Sequence, residues 1–137
     1  MDSDCWGTEI RTLSTGDYTI EGLEGEFVIE RKKNTGEFAQ NITQARFKRE
    51  LERLEKFRWP FLILDFSIDD ILNFPADSGI PENKWKDLQV SAKFIESTLY
   101  DYHINYKTKI ILAEGNGRNI CKIIFKKMGK ILEGRNE

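Results

Sequence analysis

Two strand-like runs, Tyr18-Thr-Ile-Glu21 and Glu26-Phe-Val-Ile-Glu30-Arg-Lys32, are separated only by Gly22-Leu23-Glu24-Gly25. A turn that short folds such runs onto each other as an antiparallel hairpin. A register symmetric about Leu23 and Glu24 sets Gly22 opposite Gly25, Glu21 opposite Glu26 and Asp17 opposite Glu30. Directly opposed side chains have Cβ atoms roughly 4.5–5.5 Å apart, and like charges in that position repel. A cation is therefore expected beside Asp17 and Glu30. Lys32, two residues beyond Glu30 on the same strand, projects to the same side.

Two carboxylates with a neighbouring ammonium suit one kind of chemistry well. Hard divalent cations such as Mg²⁺ or Mn²⁺ take oxygen ligands, commonly one or two carboxylates completed by water and substrate phosphate. Such an ion activates water for attack on a phosphodiester, and a nearby lysine stabilises the charge that develops. The local alternatives are plainer: Asp17 as a turn residue after Gly16, and Glu30 and Lys32 as solvent-facing charges of an edge strand.

Gly16-Asp17-Tyr18, then Ile29-Glu30-Arg31-Lys32, then Arg46-Phe47 with Glu50-Leu51, together resemble the nuclease domain of XPF/Mus-type (ERCC-type) structure-specific endonucleases. These belong to the restriction-endonuclease-like group, with the signature GD…ERK…D. The likeness runs roughly from Leu13 to Leu132 and is closest to small stand-alone bacterial or phage members. It implies a DNA endonuclease using Mg²⁺ or Mn²⁺, with Asp17 and Glu30 as metal ligands and Lys32 as the catalytic lysine. Arg31, Lys33, Arg46 and Arg49 would contact nucleic acid. Two departures stand out. Gly36 occupies the place four residues after the lysine where relatives carry Asp, which makes the following Glu37 the candidate substitute acid. The apolar first strand that ends in a D-x-R-E motif in relatives has no counterpart in Met1-Asp-Ser-Asp-Cys-Trp6, so the first strand is expected to be missing. The chain then reads as truncated before Met1 or as a divergent member. The competing reading is a catalytically inactive DNA-binding or assembly module of the same fold, and RNA is the other phosphodiester to consider.

A chain of 137 residues, 39% of them hydrophobic, is expected to be one domain with a real core. No apolar run reaches the length of a membrane span and no basic-apolar leader opens the chain, so a cytoplasmic protein is expected. Cys5 and Cys121, far apart and without C-x-x-C spacing, read as reduced thiols rather than zinc ligands. The net charge of −2 hides segregation along the chain. Residues 1–30 carry one Arg against eight acids, while 31–58 carry nine Lys/Arg against four acids. Residues 65–101 carry three Lys against eight acids, and 107–130 carry seven Lys/Arg against one. Two basic segments beside an acidic hairpin suit phosphate binding next to a metal site, although solvated helix faces give the same pattern.

The remaining pattern alternates helix and strand. A helix is expected from Glu37 to Arg58, with Phe38, Ile42, Ala45, Leu51, Leu54 and Phe57 near helical spacing and Arg46, Arg49 and Arg53 on one face. Phe61-Leu-Ile-Leu-Asp65-Phe reads as a buried strand after Pro60, and Pro75, Gly79 and Pro81 mark a loop. A second helix is expected from Glu82 to Tyr102, whose stripe from Trp85 to Tyr102 serves either the core or a homodimer. Lys107 to Ala113 reads as a strand and Arg118 to Leu132 as a helix with Ile120, Ile124 and Ile131 inward. Asp65, at the end of a buried strand, could approach the site, whereas His103 is expected to be a cap or surface residue. The pattern predicts an α/β sandwich around a mixed sheet, without the tandem helix-hairpin-helix domain of many relatives.

Overall fold

The computed structural model describes residues 10–12 and 18–135. Five strands form one mixed sheet in the order β1-β2-β3-β4-β5: Ile10–Thr12, Tyr18–Ile20, Phe27–Lys32, Trp59–Leu64 and Lys109–Leu112. β1 and β2, and β2 and β3, pair antiparallel, whereas β3, β4 and β5 are mutually parallel. β1 occupies the edge beside β2, with Ile10 opposite Ile20; its three residues carry no D-x-R-E motif, and the Met1–Trp6 stretch on which the expectation of a missing first strand rests lies outside the described residues.

The hairpin register is the expected one where it can be read: Tyr18 lies opposite Ile29. The turn is wider than expected, since β2 ends at Ile20 and β3 begins at Phe27, leaving Glu21 and Glu26 outside the strands. Gly22 takes φ +100, which a side-chain-bearing residue rarely adopts. The buried Thr19 hydroxyl donates to Phe27 O at 2.5 Å and closes the loop from within.

The parallel strands β3, β4 and β5 require crossovers. The first carries α1 (Thr35–Ile42) and α2 (Ala45–Leu54); the second carries α3 (Ile68–Leu72), a 3-10 turn at Glu82–Asp87 and α4 (Ala92–Asn105). Helix α5 (Gly117–Arg135) follows β5. Strand alternation then divides the core in two. Val28, Leu62 and Leu64 meet Phe38, Phe47, Leu51, Leu54, Ile71, Ile95 and Leu99 from α1 to α4. Phe27, Ile29 and Ile63 meet Cys121, Phe125 and Met128 of α5 on the other face. This is the expected three-layer, restriction-endonuclease-like sandwich. No helix among the described residues is long and apolar enough to cross a membrane.

Local chemistry explains the remaining differences. The helix expected over Glu37–Arg58 is two helices, broken where the Thr43 hydroxyl donates to Gln40 O at 2.8 Å and Gln44 N–H donates to Asn41 O at 2.9 Å. Asn41, Ile42 and Thr43 are weak helix formers, and the break lets Phe38 and Phe47 meet edge to face at 6.2 Å. The helix expected from Glu82 to Tyr102 is a 3-10 turn followed by α4, which Ser91 caps by accepting from Phe94 N–H at 3.1 Å. Trp85 and Leu88 are only half-buried, and the Trp85 indole donates to Ile80 O. In α5 the inward positions are Cys121, Phe125 and Met128; Ile120 and Ile124 are half-buried and Ile131 is exposed. Among the described residues the free cysteine is the buried Cys121, and Cys5 lies outside them.

Candidate functional site

Glu30 and Lys32 stand in the last three residues of β3, on the face covered by α1 and α2. Lys32 is paired with Leu64 of β4, so both acid and base sit at the carboxyl end of neighbouring parallel strands. Open α/β sheets bind ligands at that end. The Lys32 Nζ lies 3.0 Å from Glu30 Oε1. Glu30 is 7% exposed and Lys32 6%, which rules out the plain reading of solvent-facing edge charges. The ammonium also lies 5.3 Å from the centroid of the Phe47 ring, where the face of an aromatic ring attracts a cation.

The second carboxylate oxygen is the unusual one. Glu30 Oε2 is buried and has no hydrogen-bond partner among the described residues. Buried polar atoms are paired in the great majority of cases because an unpaired one costs its full desolvation. An acceptor-only oxygen held in this way fits a hard cation, since oxygen is the donor that Mg²⁺ and Mn²⁺ prefer. Glu30 would thus be the residue that holds such an ion. Among the described residues no group of three or more His, Cys, Asp and Glu converges. Asp17, the expected second acid, lies outside the described residues.

Glu37 is committed to another task. Its Oε2 accepts from Lys33 N–H at 3.0 Å, while its own N–H donates to the Asn34 side chain at 2.8 Å. Asn34 thus caps α1 with its side chain, while the Glu37 carboxylate holds the backbone one residue ahead of that cap. Gly36 is closed to any side chain: its N–H donates to Ser78 O at 3.2 Å, and a Cβ there would stand 2.3 Å from that same oxygen. A cleft of about 640 Å³ opens beside it, between α1 and the Phe74–Val90 segment, with Glu37, Gln40, Ile80 and Leu88 on its walls.

Arg31 points the other way. On the α5 face its guanidinium donates to Asp65 Oδ2 at 2.6 Å, and Asp65 Oδ1 accepts from Gly117 N–H at 3.1 Å. Asp65, which the sequence left free to approach the site, instead joins β3 to β4 and to the start of α5. Arg31 is likewise separated by the sheet from Glu30 and Lys32. Cys121 lies near this pair; burial pushes its thiol pKa up, Arg31 pulls it back and Asp65 opposes Arg31.

Arg46, Lys48 and Arg49 are exposed on α2, the helix that supplies Phe47 to Lys32. The N-terminus of α2 receives no side-chain cap from Gln44 and carries no acid in its first turn. Basic side chains at the positive end of a helix are unfavourable by themselves and complement an anion. Lys33 is exposed just beyond β3. The two basic segments do not share a layer, because α2 and α5 pack on opposite faces of the sheet. Sequence reasoning overlooked Thr35 Oγ1, buried in the first turn of α1 without a hydrogen-bond partner among the described residues. No local signal distinguishes it from an ordinary helix-start threonine.

Comparison with curated proteins and with solved structures gave no significant match. The family model for the ERCC4 domain matches residues 2–117, a span that contains β3, both helices over its carboxyl end and the start of α5. The sheet order, the ERK tripeptide at the end of β3 and this match agree: the chain belongs to the ERCC4-domain family, a family of nucleases acting on DNA.

Proposed function

We propose that this chain is a metal-dependent DNA endonuclease domain that hydrolyses phosphodiester bonds in duplex or branched DNA. The observation that carries the reading is Glu30: a carboxylate buried at the carboxyl ends of two parallel strands, with a lysine on one oxygen and, among the described residues, no partner on the other. Glu30 would hold Mg²⁺ or Mn²⁺, with Asp17 as the second acid. Such an ion, when bound, polarises the scissile phosphate and makes water a better nucleophile at neutral pH.

The chain's own groups supply the rest. Lys32 brings an ammonium out of bulk water, where its attraction for charge growing on a phosphoryl oxygen is least screened. Phe47 keeps that ammonium dry and in place. Lys33, Arg46 and Arg49, with the uncapped start of α2, hold backbone phosphates and set the register of the duplex without reading its sequence. The inactive DNA-binding module is the second reading. It draws on Gly36, sealed by Ser78 O where relatives carry an acid, and on Glu37, whose carboxylate is taken up by Lys33 N–H.

Supercoiled plasmid and fluorescent branched duplexes, incubated with Mn²⁺, Mg²⁺ or EDTA, separate the two. Nicking that requires the ion and disappears in Glu30→Gln and Lys32→Ala supports the enzyme. DNA that stays intact under every metal while still being bound establishes the module instead.

A further inference from the structure

Lys32 Nζ and Glu30 Oε1 are 3.0 Å apart in surroundings that leave neither residue more than 7% exposed. Water does little for either charge, so each depends on the other; an unpaired carboxylate at this depth would be strongly disfavoured. A divalent ion at Glu30 satisfies the same need. Two cations on one small carboxylate repel across a few ångströms of poorly screened space. Lysine and metal are therefore competitors for Glu30 before they are partners in catalysis.

We infer that Lys32 is a place-holding counter-cation for Glu30, released from the carboxylate when a divalent ion binds and thereby set free to meet the substrate phosphate. The inference rests on the proposed metal-binding role of Glu30. Two features of the site make the exchange practicable. Oε2 is buried and has no partner among the described residues, so an incoming ion has an oxygen to contact before Lys32 leaves Oε1. The Phe47 ring, 5.3 Å from Nζ, gives the departing ammonium a second surface that tolerates its charge, so release does not require it to reach bulk water. The flexible four-carbon stem of lysine permits the swing, which the rigid, planar guanidinium of an arginine would not match. One consequence is an order of events. The free ammonium becomes available at the site only after the ion is in place, so substrate phosphate meets both cations together.

The competition has a signature apart from cleavage. Removing the lysine charge takes away the ion's rival and should tighten metal binding, although the same change damages catalysis. A neighbouring opposite charge moves a carboxylate equilibrium by roughly one to three decades, and a gain of about ten- to a hundredfold in Mn²⁺ affinity is expected for Lys32→Met. Isothermal titration of the full chain with MnCl₂, paired with thermal melts with and without the ion, reads this directly in wild type, Lys32→Met, Lys32→Arg and Glu30→Gln. Support requires tighter binding by Lys32→Met, an affinity no tighter than wild type for Lys32→Arg, and no binding at this site by Glu30→Gln. Unchanged or weaker binding by Lys32→Met, with Glu30→Gln still abolishing it, overturns the place-holder and leaves Glu30 a ligand. Tightening by Lys32→Arg as well overturns it too, since charge would not be the cause. Equal Mn²⁺ binding by wild type and Glu30→Gln, or none by any variant, removes the underlying metal-site reading instead. Should Lys32→Met fail to fold alone, Lys32→Gln is used beside it. Recovery of the fold on adding Mn²⁺ supports the exchange, and failure of both variants to recover contradicts it.

Discussion

The two faces of β3 carry adjacent ion pairs that have opposite characters. Toward α5, Arg31 meets Asp65, and both Asp65 oxygens are engaged, one by the guanidinium and one by the first N–H of α5. Toward α1 and α2, Glu30 meets Lys32, and among the described residues one Glu30 oxygen is left over. The first carboxylate joins three elements with a partner on each oxygen, as a structural strut should. The second is buried more deeply yet under-satisfied, which is costly for stability and useful for a ligand. A strand that alternates its side chains can thus place a strut and a reactive pair on consecutive residues, with the strut bracing the backbone from behind.

A series of substitutions breaks or sharpens this contrast. The largest effect is expected on catalysis: Glu30→Gln should lower metal-dependent plasmid nicking by about a hundredfold or more, the scale seen when a single preorganised electrostatic group is removed. Asp65→Ala should act on stability instead, costing about 2 kcal/mol through loss of a charged hydrogen bond and of the α5 anchor, as read by urea denaturation. Lys32→Met alone leaves Glu30 buried without a counter-charge, whereas Glu30→Gln/Lys32→Met removes both charges. The double variant should be more stable than Lys32→Met by roughly 1–3 kcal/mol, a double-mutant coupling also measured in urea. Arg46→Ala and Arg49→Ala, both at exposed positions, should leave stability within about 0.5 kcal/mol. Each should reduce the slope of log affinity for DNA against log salt by about 1, measured by fluorescence anisotropy.

The smallest effect concerns pH. Burial, with lesser contributions from Tyr106 and Asp101, pushes the Tyr102 hydroxyl up to about 12 from an ordinary value of 10.0. A raised folded-state value means that the phenol contributes its full stability below pH 10 and loses it as the pH rises from 10 toward 12. Thermal melts should therefore show a shallower alkaline decline for Tyr102→Phe than for wild type. A wild-type-like decline in that variant would assign alkaline unfolding to other groups.

Much of this arrangement was legible before the fold was known, and its gaps have physical causes. Strand alternation placed Glu30 and Lys32 together; it also sets Arg31 on the opposite face, away from the nucleic-acid contact expected of it. What it could not supply was Asp65, which reaches Arg31 because Lys32 pairs with Leu64 across a parallel crossover. The Ser67-to-Asp70 capping box was present in the sequence as a helix start, but α3 is too short to show periodicity. The break at Thr43 arises from a hydroxyl returning to Gln40 O, a local bond that competes with a helical pattern otherwise continuous. The seal on Gly36 comes from Ser78 in a distant loop and leaves no trace in the local sequence.

The most direct test places the two faces side by side: Mn²⁺-dependent nicking of supercoiled plasmid by wild type, Glu30→Gln and Asp65→Asn, at a temperature where melting curves show all three folded. The account predicts nicking by wild type and Asp65→Asn, and intact plasmid with Glu30→Gln. Nicking by Glu30→Gln at the wild-type rate, with loss of activity in folded Asp65→Asn, would put the reactive carboxylate on the other face of the strand.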